Sequence, residues 1–196
     1  MNSKINDYLE QQFLSFTKID MKLFHKQIVT LANLILEKLS KGGTLAFLGN
    51  GGSAAEANHL AAEFTGKCVI DHHPLRAISL SSNPSVITAI ANDYGNEFIF
   101  SRQVEGLLDE NSLLVAMSTS GSSANVINAL KTAENVGTYS VLWTGQGFRR
   151  PKHPQIADEI WVAPSMSTPR VQEIHLIWGH LVAECVELLV NTHEKN

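Results

Sequence analysis

Apolar positions follow one rule near the amino terminus and another beyond it. In "INDYLEQQF" and "MKLFHKQIVTLANLILEKLSKGG" they recur at helical spacing. In the second segment Leu23, Ile28, Leu31, Leu34 and Leu39 fall near one side before Gly42 ends the run, so two amino-terminal helices are predicted. Further on, the apolar residues gather into short runs: "TLAFLG" (44–49), "RAISL" (76–80), "SLLVAMS" (112–118), "YSVLWTG" (139–145) and "EIWVAP" (159–164). Runs without strict polar alternation suit strands covered on both faces. Between them stand helix-like segments, "AAEANHLAAEFTG", "PSVITAIANDYG" and "SANVINALKTAENVG", and the last run is followed by "PRVQEIHLIWGHLVAECVELLV". This alternation predicts an α/β fold, a parallel sheet with helices on both sides. No repeat or low-complexity segment is present; the irregular stretches are 65–76 and 144–155.

Composition narrows the picture. At 196 residues and 44% hydrophobic, the chain suits one domain with a real core. The formal net charge of −4 has no basic block behind it, which argues against nucleic acid or an anionic membrane as partner. The start, "MNSKINDYLEQQF", lacks the apolar core of a signal peptide, and no later run reaches membrane-spanning length, so a cytoplasmic protein is expected. Cys68 and Cys185, the two cysteines, share no metal-type spacing and are expected to fill core space.

Two loops carry candidate chemistry. "LGNGGSAAE" follows the first predicted strand and opens a helix; Gly49, Gly51 and Gly52 allow close backbone approach, and Ser53 adds a hydroxyl. It matches neither the dinucleotide nor the Walker pattern. "MSTSGSSANV" follows the third predicted strand, with Ser118, Thr119, Ser120, Ser122 and Ser123 around Gly121. Open α/β sheets bind ligands at such carboxyl-end loops. Neither loop holds a cationic residue, which points to a phosphate held by hydroxyls and amides, as suits a small sugar phosphate.

His59 and Glu63 are four residues apart and share a helix face; Gln172 and His180 stand two turns apart on the last helix, with His175 between. Each pair alone reads as ordinary hydrogen bonding or core filling. Converged, the four would suit a divalent metal with nitrogen and oxygen ligands, zinc foremost. They would suit proton transfer equally well, and spacing leaves both open. Asn92 and Asp93 precede Gly95 at a predicted helix end, either as a turn or as contacts to a sugar hydroxyl. Thr168 and Pro169 form an efficient helix start.

In order and spacing, "GNGGSAAEANHLAAEFTG", "AIANDYGNEFIFSRQVE", "STSGSSANV" and "RVQEIHLIWGH" closely resemble the phosphoheptose isomerases of the SIS (sugar isomerase) superfamily, over essentially the whole chain. The resemblance implies a three-layer α/β fold, with a five-stranded parallel sheet flanked by helices, as a single SIS domain over 1–196 with a helical segment at 1–41. It implies a homotetramer with sites between subunits, and conversion of D-sedoheptulose 7-phosphate to D-glycero-D-manno-heptose 7-phosphate for lipopolysaccharide or another surface polysaccharide. Ser53, Ser118, Thr119, Ser120 and Ser123 match the phosphate-binding residues, and Asn50, Gly51, Gly52, Glu63, Asn92, Asp93 and Gln172 match other substrate contacts. His59, Glu63, Gln172 and His180 match ligands of one zinc ion per subunit, with Glu63 and His180 also matching the base and acid. Two positions and one segment depart from the pattern: Lys67 replaces an arginine, Pro169 an aspartate of some relatives, and the basic "TGQGFRRPKHPQ" a glycine-rich loop. The alternative within the superfamily is a non-catalytic protein that binds phosphosugars or the replication initiator; it has no need of His59, Glu63 and His180.

Overall fold

Strands β1 (Leu45–Gly49), β2 (Ala77–Ser79), β3 (Leu113–Met117), β4 (Tyr139–Gly145) and β5 (Glu159–Ala163) form one sheet in the order β2-β1-β3-β4-β5, every neighbouring pair parallel. The structure, a computed structural model, describes residues 2–14, 16–149 and 156–193. Each strand lies within one of the predicted apolar runs. β1 and β3 are buried at every position, because helices cover both faces. Alternate residues divide between the two cores: Leu45 and Phe47 enter one, Ala46 and Leu48 the other. Edge strands β2 and β5 keep partial exposure.

On one face lie α2 (Met21–Ser40), α3 (Gly52–Thr65) and α7 (Thr168–His193), which supply Ile28, Leu60 and Trp178 to the first core. On the other lie α4 (Pro84–Asp93), α5 (Ser101–Leu107) and α6 (Ala124–Asn135), with Val104 and Leu130 central to the second core. A further helix, α1 (Asn2–Leu14), precedes these layers. Side chains start two of the helices: Asp20 accepts from the amides of Lys22 and Leu23, and Asn83 from those of Ser85 and Val86, ahead of a proline at the first turn.

Two details differ from the sequence reading. The buried stripe of α2 is Phe24, Ile28, Leu31, Ala32 and Ile35, whereas Leu23 is 53% exposed. At about 100° per residue, Leu23 falls well over 90° from Ile28, while Phe24, four residues before it, stays on the core side. The segment read only as a helix end and turn also contains α5. Its seven residues are too few for a periodic signal; buried Gln103 docks it by donating from Nε2 to the carbonyls of Ile99 (2.7 Å) and Leu80 (2.9 Å).

The strand order reverses direction at β1, which has β2 on one side and β3 on the other. A crevice opens at the carboxyl ends of two strands that diverge in this way. Gly49 pairs with Met117 in the ladder, so the glycine loop after β1 and the serine loop after β3 leave the sheet at one level.

Candidate functional site

The glycine loop turns on Gly51, whose φ of +55° is a conformation that side chains other than glycine seldom adopt. The turn lets the amide of Ser53 donate to the Asn50 carbonyl (3.0 Å) and buries the Ser53 side chain at the head of α3. In the serine loop, the Gly121 amide donates to the Ser118 carbonyl (3.0 Å) and hydroxyl (3.2 Å), and the hydroxyls of Ser118 and Ser123 lie 3.2 Å apart. An amide pair joins the loops: Asn50 Nδ2 donates to Asn125 Oδ1 and Asn125 Nδ2 to Asn50 Oδ1, both at 2.9 Å. Asn50 therefore holds the loops in register. Its buried partner Asn125, at the second position of α6, carries no local pattern by which sequence reading would find it.

Asn50, Gly51, Gly52, Ser53, Ser118, Thr119, Ser120 and Ser123 thus stand on one edge of the sheet. Asn92 and Asp93 lie at the end of α4. Both are exposed, and Asn92 Nδ2 donates to Asp93 Oδ1 (2.7 Å).

Helices α3 and α7 run side by side in the same direction. Gly179 lies flush against Leu60, where an added Cβ would strike the leucine side chain. This close approach brings His59 Nε2 to 2.8 Å from His180 Nε2 and 3.2 Å from Glu63 Oε1. The imidazoles meet edge to face, with centroids 5.0 Å apart and planes at 70°. Ligand atoms about 2.0–2.2 Å from a tetrahedral cation lie roughly 3.3–3.6 Å from one another, so these donors need move apart by only a few tenths of an ångström to hold a divalent metal. Gln172 stands elsewhere: eight residues before His180, about 12 Å of helix rise, its amide covers Gly52 at the opening turn of α3. Three of the four expected metal ligands converge, and the fourth lies at the glycine loop.

The surroundings of Glu63 are acidic and partly dry. Burial, reinforced by the charges of Glu63 and Glu187, pushes the Cys68 thiol up to about 11 and keeps it protonated. Buried Glu187 of α7 accepts from the amides of Cys68 (2.6 Å), Val69 (3.0 Å) and Ile70 (2.8 Å), tying the loop after α3 to the last helix. Glu56, one turn before His59, is half-buried; desolvation pushes its carboxyl up to about 7, against the opposing influence of the nearby Ser53 hydroxyl. No sequence pattern marks Glu56 or Glu187, because a glutamate on a helix is ordinarily a solvated residue. His175 is the core histidine expected: fully buried, with Nε2 3.3 Å from the Thr144 carbonyl, and held neutral by burial that lowers its pKa to about 4.

A cleft of about 390 Å³ opens beside the serine loop, lined among others by Thr119, Ser120, Ser122, Arg149, Ser165 and Thr168. Of the loop expected at 144–155, residues 150–155 lie outside the described residues. A second cleft, of about 330 Å³ and bounded by Lys38, Glu134 and Asp158, includes no residue of either hydroxyl loop.

Residues 8–145 match the family model described as "SIS domain". The chain is 42% identical over 170 residues to a phosphoheptose isomerase of Aquifex aeolicus, covering 87% of this chain and 88% of that one. A Helicobacter pylori phosphoheptose isomerase is 37% identical, with 93% and 96% covered. The solved structure of phosphoheptose isomerase GmhA from Neisseria gonorrhoeae superimposes with a TM-score of 0.83 at 34% identity, covering 95% of this chain and 98% of that one. With this fold and this match along nearly its whole length, the chain belongs to the SIS-domain family, among its phosphoheptose isomerases.

Proposed function

We propose that the protein isomerises D-sedoheptulose 7-phosphate to D-glycero-D-manno-heptose 7-phosphate through an enediol, supplying heptose for lipopolysaccharide or another surface polysaccharide. The observation that carries this reading is the meeting of His59, Glu63 and His180 where α3 and α7 touch, in a chain whose relatives bear the name phosphoheptose isomerase.

In this reading, Ser53, Ser118, Thr119, Ser120 and Ser123 hold the phosphate, together with amides at the heads of α3 and α6. Asn50, Gly51, Gly52 and Gln172 contact the sugar, and Asn92 and Asp93 do so as well. Ketose-to-aldose conversion removes a proton from C1 and delivers one to C2. Glu63 takes and returns that proton, while His180 protonates and deprotonates the substrate oxygens. Glu63 Oε1 faces His59 at 3.2 Å, so Oε2 is the oxygen outside that contact and the one assigned as base. His59, Glu63 and His180 would hold one zinc ion per subunit, which would polarise the substrate oxygens as a Lewis acid; Gln172, the fourth ligand that the resemblance implies, would join them only by leaving Gly52.

The chain is read as one SIS domain over 1–196, working in the cytoplasm as a homotetramer with sites between subunits. Helix α1 supports assembly, since Ile5, Tyr8, Leu9 and Phe13 are all more than half exposed on it. No described helix is long and apolar enough to cross a membrane.

Purified protein is incubated with sedoheptulose 7-phosphate, with and without a chelator, beside a Glu63→Gln variant. Heptose product from wild type alone, and its loss on chelation, are expected. Absence of product from wild type, or full turnover by the variant, rejects the assignment; full turnover by demonstrably metal-free protein rejects zinc.

A further inference from the structure

We infer that Arg149 is a binding residue for the phosphate of the substrate, supplying the cation that both hydroxyl loops lack. The inference rests on the reading of the ligand as a sugar phosphate and adds a residue outside the set assigned above. A phosphomonoester carries close to two negative charges at neutral pH, and the protein that receives it has a net charge of −4. The glycine and serine loops offer only hydroxyls, amides and helix ends.

Positive charge arrives from the third loop on this edge. Leaving β4, the chain is pinned by the Gly145 amide donating to the Thr119 carbonyl (3.0 Å) and by the Gln146 amide donating to the Ser165 carbonyl (2.9 Å). The Phe148 amide closes the turn onto the Gly145 carbonyl (3.0 Å). The Phe148 ring then lies on Gly121, at φ +64°, where a side chain would collide with it. Phe148 thus anchors the turn to the serine loop, and the next residue, Arg149, forms a wall of the cleft shared with Ser120 and Ser122.

The chemistry of that cleft suits an anion. Among the described residues that line it there is no carboxylate. Ser120 Oγ accepts from the amide (3.2 Å) and the hydroxyl (2.9 Å) of Ser122, leaving its own proton to donate to a ligand. Among the described residues, Arg149 takes part in no ion pair or hydrogen bond. Its planar fork can reach a phosphate through two parallel N–H donors.

Titration calorimetry with inorganic phosphate tests the assignment apart from catalysis, on wild type, Arg149→Met and Arg149→Lys. Loss of a charge-assisted hydrogen bond predicts phosphate binding about tenfold to a hundredfold weaker in the methionine variant, with the lysine variant between the two. KM for the sugar phosphate should rise in the same order while kcat stays within about threefold, since the contact serves ground state and transition state alike. Equal phosphate affinity in all three proteins overturns the inference. So does a fall in kcat with KM and phosphate affinity unchanged. Phosphate binding that weakens in Arg149→Met, in a wild-type protein that does not isomerise the heptose phosphate, upholds Arg149 while the isomerase reading fails.

Discussion

Glu56 shows what burial does to a single residue of the site. Its carboxyl moves from the ordinary 4.5 to about 7 because its surroundings desolvate the charge. Folded and unfolded chains are both protonated below 4.5, and there the residue costs nothing. Between 4.5 and about 7 the unfolded chain ionises first, so stability falls as pH rises; above about 7 the full cost is present. Glu56→Gln removes the titration. Melting of chelator-treated protein at pH 5 and pH 8 should show wild type losing ground to the variant at the higher pH. Partial exposure screens the effect to about 1 kcal/mol, or roughly 2–4 °C in a chain of this size. Parallel pH profiles would refute the assignment. Nothing in "GSAAEANH" announces this: Glu56 reads as a surface residue until the packing around α3 is known. The Asn50–Asn125 pair is hidden in the same way, its partners lying in segments far apart along the chain.

Among the elements, the contact of α3 with α7 decides whether three side chains form a site. Spacing alone sets His59 and Glu63 on one face of α3. Their meeting with His180 depends on Gly179, which lets α7 lie directly on Leu60. Gly179→Val would separate the helices. Overpacking of this kind costs about 1–3 kcal/mol, and the variant is expected to fold, melt lower and lose bound metal and turnover together. Ile177→Ala, at a position 38% exposed on the same helix, should keep its metal. Metal analysis beside thermal melting distinguishes the two; full metal content in Gly179→Val would show that the helix approach does not build the site. Gln172 is the element-scale surprise: its place in the motif suggests a fourth ligand, whereas the helix rise from His180 sets its amide at the glycine loop.

At the scale of the whole molecule, assembly is read from α1. Its apolar residues face outward, Phe13 at 69% exposure and Tyr8 at 60%. A homotetramer built through this helix would bury them, and neighbouring subunits would bring further residues to each site. Light scattering of wild type should give four subunits. Tyr8→Asp with Phe13→Asp should give smaller species with turnover reduced at least tenfold, since each charge would sit in a desolvated interface. A wild-type monomer with full activity would reject assembly as a condition for catalysis.

Properties local to the chain are legible in its residues alone. The hydrophobic period locates each of the five described strands and every described α-helix except α5, because apolar runs and helical spacing are written over a few residues. Glycines and hydroxyls place the loops for the same reason. Pairing across the fold is decided by the tertiary structure: the strand order that sets both loops on one crevice, the helix contact that joins His59 and Glu63 to His180, and the ring of Phe148 that carries Arg149 to the serine loop. Those contacts join residues tens of positions apart or more, and only closure of the chain around its two cores brings their side chains within reach.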